Sequence, residues 1–185
     1  MKKFSFVLLA SVLVLFSYTN IKKFVSTKTH IKFFSTTAVE NIEAHNYKAI
    51  STIDTESGEV VFSVPMQSFE FEKSLMQKHF NQPNFLDTKK YPKAKLVGKI
   101  TNLNEIDFKK DGTYPATISG EMSIKGVSKP ITEKGTITVK GGNIEAKSKF
   151  DITLADYGIT FTKGKPASNI AKKVEVTVEA SYQSE

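Results

Sequence analysis

The stretch SLMQKHFNQPNFLDTKKYPKAKLVGKI, Ser74 to Ile100, breaks the pattern of the chain around it. On either side apolar and polar residues alternate with the period of two that half-buried strands require. Here the spacing turns helical: Phe71, Leu75 and His79 lie four apart, as do Met76 and Phe80, which gives one apolar stripe. Ser68 stands where such a helix would be capped, Glu70 and Glu72 fall in its first turn, and Pro83 forbids its continuation. The spacing therefore predicts one helix within Ser68–Phe80, inserted between a third and a fourth strand. Alternation resumes near Lys93.

Outward from this interruption, strand candidates follow at short intervals. Phe24–Ser35, Asn41–Asp54 and Gly58–Met66 precede it; Lys93–Leu103, Tyr114–Lys125, Ile131–Lys140, Asn143–Ala155 and Lys172–Tyr182 come after. Gly141-Gly142 between the sixth and seventh is a two-residue hairpin signal. Each segment has one dry parity, such as Ala94, Leu96, Gly98 and Ile100, or Val174, Val176, Val178 and Ala180. In the first strand Val25, Thr27, Thr29, Ile31 and Phe33 share a parity. The opposite parity is mostly Lys, Glu, Thr and Ser. The fold class is all-β, and eight antiparallel strands joined by tight turns suggest a barrel, since closure removes both exposed edges. A two-sheet sandwich has the same periodicity and remains the alternative at this point.

Lys2 and Lys3 followed by the uncharged run Phe4–Phe16 form a basic start and short apolar core, as in a secretory signal peptide. We assign residues 1–19 to that segment, with cleavage between Ser17 and Ile21, and 20–185 to one barrel domain. Ser17 and Thr19 are small but there is no Ala-x-Ala, so an uncleaved anchor is the competing reading. The expected location is periplasmic or secreted. With no cysteine there are no disulfides and no thiol to acylate, so core burial holds the fold together. The net charge of +7 comes from lysine alone. Without arginine there is no planar fork for phosphates or base edges, and single lysines along the wet faces suit solvated strands, which argues against nucleic acid as a partner.

Three segments resemble one family. SFEFEKSLMQKHFNQPNFLDTKKYPKAKLVGKI (Ser68–Ile100), GEMSIKGVSKPITEKGTITV (Gly120–Val139) and FDITLADYGIT (Phe150–Thr160) are similar, in order and spacing, to the hallmark segments of the YceI-like polyisoprenoid-binding proteins. The resemblance runs from about Lys23 to Tyr182. It implies an eight-stranded lipocalin-like barrel, outside the cytoplasm, holding a long prenyl lipid in an apolar tunnel. The chain departs from the family at Leu75-Met76-Gln77-Lys78, where an Arg-Asp pair is usual, and in the short Gly141-Gly142 connection.

Given that resemblance, the dry faces and the helix supply the lipid-binding candidates: Phe33, Phe62, Val64, Phe71, Leu75, Met76, Phe80, Leu96, Ile118, Met122, Ile137 and Phe150. Gly98, Gly120 and Gly135 on the same faces are expected to leave room inside, and flexible Met suits a pliable chain. A filled barrel whose loops bind another protein is the alternative. No cofactor is expected and any membrane contact is transient. His30, His45 and His79 lack metal-ligand spacing; if Phe33 faces Ile42, then His30 faces His45 on the outer surface. His79 is expected at the barrel lip. No spacing suggests a nucleophile with its base, and Asp151 and Asp156 read as solvated carboxylates, so neither metal nor catalytic residues are assigned.

Overall fold

The computed structural model describes residues 23–160 and 169–183. Among the described residues the fold comprises ten strands, β1 (Lys23–Thr36), β2 (Asn41–Asn46), β3 (Ile50–Asp54), β4 (Glu59–Pro65), β5 (Phe69–Phe71), β6 (Lys93–Ile100), β7 (Gly112–Ile124), β8 (Val127–Lys140), β9 (Asn143–Thr153) and β10 (Lys173–Gln183), together with the helix α1 (Ser74–Asn81). Every pairing is antiparallel, and β10 returns to β1, from Val25↔Gln183 to Phe34↔Glu175. The closed ring β1-β3-β4-β6-β7-β8-β9-β10 is an eight-stranded barrel, with β2 and β5 as an annex on β1. The closed ring excludes the sandwich.

One of the expected strands is broken in two, and a short strand the sequence did not suggest, β5, follows β4. Asn41–Asp54 is β2 and β3, which pair with successive parts of the same edge of β1: β2 with Ile31–Thr36, β3 with Lys23–Val25. The break is built by Asn46, whose Oδ1 accepts the Lys48 N–H at 2.9 Å, a side-chain-closed turn. The Asn46 Nδ2 donates to the Pro65 carbonyl at 2.8 Å, at the break between β4 and β5. One buried amide thus joins both discontinuities. Past Pro65 the chain leaves β3 and pairs Phe69–Phe71 with Ala44–Asn46 of β2.

The helix is therefore shorter than expected. It starts at Ser74, not Ser68, and has no acidic residue in its first turn, because Glu70 and Glu72 lie outside it. Residues 69–71 have period two: Phe69 is buried while Glu70 is exposed. Phe71 fits a helical spacing only by coincidence, and the ladder to β2 decides its conformation. Termination near Pro83 is as expected: Asn81 Nδ2 donates to the Gln77 carbonyl at 2.8 Å, and Thr88 Oγ1 donates to Asn81 Oδ1 at 2.7 Å.

β1 also corrects the parity reading. A register irregularity between Ser26 and Lys28 against β10 shifts the alternation, so Phe24 is buried and Val25 exposed, while Thr29 and Ile31 are buried. Nor do Gly98 and Gly120 leave room. They face each other across β6 and β7, and a Cβ on Gly120 would stand 2.3 Å from the Val97 carbonyl oxygen. Close backbone approach explains them, the use of glycine where a sheet bends. The β7–β8 hairpin turns at Lys125-Gly126 with φ of 51° and 77°. Tyr91 packs so closely on Gly126 that a Cβ there would meet its ring at 2.6 Å, tying the α1–β6 connection to this hairpin.

Candidate functional site

The barrel is packed at one end and hollow toward the other. Ile53, Val60, Val139, Ile144 and Tyr182, each at most 2% exposed, close the end that carries the β3–β4 and β8–β9 turns. Within this floor the Ser51 and Tyr182 hydroxyls lie 2.6 Å apart. Burial pushes the Tyr182 hydroxyl up to about 12, only partly offset by the bond to Ser51.

Above the floor lies a cavity of about 890 Å³. This is near the top of the ~300–1,000 Å³ typical of small-molecule sites. Phe33, Phe62, Val64, Leu96, Ile118, Met122, Ile137 and Phe150 line it from the strands, and Phe71, Leu75, Met76 and Phe80 from β5 and α1, so all twelve candidates stand on its wall. The interior is accordingly not filled. Leu75 differs from the others in being 60% exposed, which puts it at the rim. His79 also lines the opening, as expected of a lip.

Alternation found the strand residues but missed others. Phe69 and Met66 also line the cavity, and so do Phe85 and Leu86 of the α1–β6 connection. The Phe69-Glu70-Phe71 alternation could have revealed the first. Glu133 was missed although its parity is readable from Ile131, Gly135 and Ile137, all on the same wall.

An aromatic cluster roofs the cavity. Phe80, buried on α1, stacks on Phe33 at 5.7 Å between centroids and 14° between planes. It meets Phe69 at 5.5 Å, Phe71 at 5.1 Å and Phe85 at 5.9 Å. The helix is held to the barrel by this side chain, while Met76, one turn earlier, is half-buried on the cavity wall. Beside them Glu40 joins three elements: its Oε1 accepts from Lys73 Nζ at 3.2 Å and its Oε2 from Asn169 Nδ2 at 3.0 Å. The Asn169 amide, and then the Lys73 ammonium, hold the Glu40 carboxyl below its usual value.

The histidines meet in a different register from the one considered. Phe33 faces Ala44, not Ile42, and Lys32 faces His45. His30 instead lies opposite Glu179 of β10. The rings still approach, His30 Nε2 to His45 Nδ1 at 2.9 Å, with Tyr47 stacked over His30 at 4.6 Å. Asp151 pairs across to Glu175 on the outer face. Residues 1–22, with the predicted leader, lie outside the described residues.

Comparison with known proteins agrees with this architecture. The family model described as YceI-like domain matches residues 14–182. A UPF0312 protein of Pseudomonas putida (strain W619) is 32% identical over 112 residues, 57% of this chain and 53% of that protein. A Shewanella denitrificans UPF0312 protein is 28% identical over 132 residues, 68% of this chain and 64% of that one. The match thus spans about half the length of the Pseudomonas putida relatives. Among solved structures, a polyisoprenoid binding domain from Saccharophagus degradans superposes with a TM-score of 0.74 at 13% identity, covering 89% of this chain and 99% of that one. BcnA from Burkholderia cenocepacia gives 0.68 at 16% identity, covering 83% and 95%. At such identities the likeness concerns the fold.

Proposed function

We propose, from the premise that this chain belongs to the YceI-like family, that it is a carrier holding a long apolar lipid of the isoprenoid kind inside the barrel. The observation that carries this reading is the cavity of about 890 Å³, walled by Phe, Leu, Ile, Val and Met and reaching the rim at Leu75. Apolar surface of that extent is stabilised by a ligand that takes it out of water. That a protein of the same fold is described as a polyisoprenoid binding domain supports a lipid over other apolar ligands. The cavity-lining serines support binding without catalysis. Ser35 Oγ accepts the Ala171 N–H at 2.9 Å, and Ser148 Oγ donates to the Lys134 carbonyl at 2.7 Å, so backbone groups engage both hydroxyls.

The reading includes export, supported by Lys2, Lys3 and the apolar run Phe4–Phe16, and a transient membrane encounter at which lipid is exchanged. Native mass spectrometry of the purified protein, followed by organic extraction, tests the carrier reading. The expected result is a co-purifying long-chain lipid, or uptake of an added prenyl alcohol. A protein that stays empty in both trials overturns the carrier. Intact mass after expression in an exporting host is expected to place the N-terminus between Ser17 and Ile21.

A further inference from the structure

Among the described residues, charged side chains from the barrel strands reach the cavity lining at Lys95, Glu133 and Lys147, and of these Glu133 alone stands in the inward parity of its strand. On β8 the inward series is Ile131, Glu133, Gly135, Ile137, all on the cavity wall, with Thr132 turned outward and exposed. Glu133 lies opposite Ile118 of β7, itself a cavity residue. On its other side β8 has no strand partner. The β8–β9 ladder runs from Gly135↔Ser148 to Lys140↔Asn143 only, so residues 127–134 have separated from β9. The cavity reaches this split, where Thr136, Lys147 and Ser148 join its lining.

Lys95 and Lys147 also reach the cavity lining, but neither forms an ion pair with the Glu133 carboxylate. Among the described residues no lysine or histidine nitrogen forms an ion pair with Glu133; the nearby Lys147 and Lys149 pair instead with Glu179 and Glu175. The charged group it does sense is the Asp151 carboxylate, and burial, then that like charge, raises its pKa. The Tyr157 hydroxyl is raised by burial, by Asp156 and by Glu133. A half-buried carboxylate with no ion-pair partner gains from any group that donates to it. The cheapest donor is one that arrives with the ligand.

We propose that Glu133 reads the polar end of the lipid, favouring an end that donates a hydrogen bond and carries no negative charge, a hydroxyl or an amine, over phosphate or carboxylate. This rests on the carrier reading above and adds the head group to it. A donor gains a charge-assisted bond to the half-buried carboxylate, whereas an anion meets like charge there. Selectivity of this kind comes as much from repelling the wrong ligand as from holding the right one.

The test is tryptophan-free fluorescence displacement at neutral pH with four probes sharing one C20 prenyl chain: geranylgeraniol, geranylgeranylamine, geranylgeranyl phosphate and the hydrocarbon without a head group. The wild type should bind the alcohol and the amine roughly ten-fold or more tighter than the phosphate, the size expected of one hydrogen bond to a charged group. Glu133→Gln should weaken the amine about ten-fold, strengthen the phosphate and leave the hydrocarbon unchanged. Glu133→Leu, which keeps the wall apolar, serves if the glutamine variant folds poorly, and should lose the preference for the amine. Hydrocarbon and all head groups binding alike, or a ranking that both variants preserve, overturns this inference and leaves the carrier standing. No binding of any probe, the hydrocarbon included, overturns the carrier reading and this inference together.

Discussion

Met76 and Phe80 sit one turn apart on α1, both on the cavity wall, yet truncating them should have unequal consequences. Phe80 is 5% exposed and touches four other phenylalanines from β1, β5 and the α1–β6 connection. Phe80→Ala removes a buried ring and leaves a new hole where those four rings converge. Such changes cost about 3–5 kcal/mol, and aromatic pairs add roughly 0.5–1.5 kcal/mol each before non-additivity, so the upper end applies. Met76 is half-buried and borders a space that already exists. Met76→Ala then creates little new cavity and loses only part of the transfer free energy, about 1 kcal/mol. Urea unfolding of delipidated protein measures both, with the slope checked for constancy so that a midpoint shift reports stability. For a chain of this size about 1 kcal/mol moves the melting temperature by roughly 2–4 °C, so the pair should differ by about 10 °C. Lipid affinity should fall in Met76→Ala even though its stability hardly changes. Equal and large losses in the two variants would refute the reasoning, because Met76 would then be packed core and the helix a plug.

Asn46→Ala takes the partner from the Lys48 N–H and the Pro65 carbonyl together, and since Lys48 is exposed and Pro65 half-buried it should cost about 1–3 kcal/mol in the same unfolding assay. Glu40, whose folded pKa is depressed, steadies the mouth above the usual carboxylate value of 4.5, and that contribution is lost as the pH falls through the lower folded value. Release of a bound fluorescent lipid should therefore quicken on acidification in the wild type and lose that dependence in Glu40→Gln. Tyr182, raised to about 12, contributes stability that is complete below pH 10 and declines as the pH rises toward the folded value. Tyr182→Phe should remove that alkaline decline, at a cost near 1–2 kcal/mol for the Ser51 hydroxyl left buried without its partner, both read from unfolding against pH.

Much of the barrel was legible because a strand's side chains alternate and one face must be dry. Leu96, Ile118, Met122 and Phe150 could be placed inward from parity alone, and the cavity wall includes them. What parity does not carry is where a ladder changes partner. The irregularity between Ser26 and Lys28 turned Phe24 inward, and only the pairing with β10 reveals it. Phe71 has two periodicities at once, and contact with Ala44 chose the strand. Gly98 and Gly120 read as vacant space on one strand and as backbone contact once two strands are paired. The helix end was legible because Pro83 acts locally; its start was not, because the start depends on β2.

The hollow interior raises the question of what holds the wall open. The unbroken ladders between β6 and β7 and between β7 and β8 need no side chain across the barrel to satisfy the backbone groups they pair. Side-chain packing is concentrated at two levels, the floor around Tyr182 and the phenylalanine cluster around Phe80. The wall between them can therefore keep apolar residues in contact with a void. The breaks at Asn46 and Pro65 belong to the same economy of form: they let β2 and β5 lean away from the ring and bring Phe69 and Phe71 under the helix. A straight second and third strand would have no annex to receive α1, and the roof would lose its anchor. Stability residing in the two ends and in the ring's hydrogen bonds leaves the middle free to be shaped by what it holds, which is where Glu133 stands.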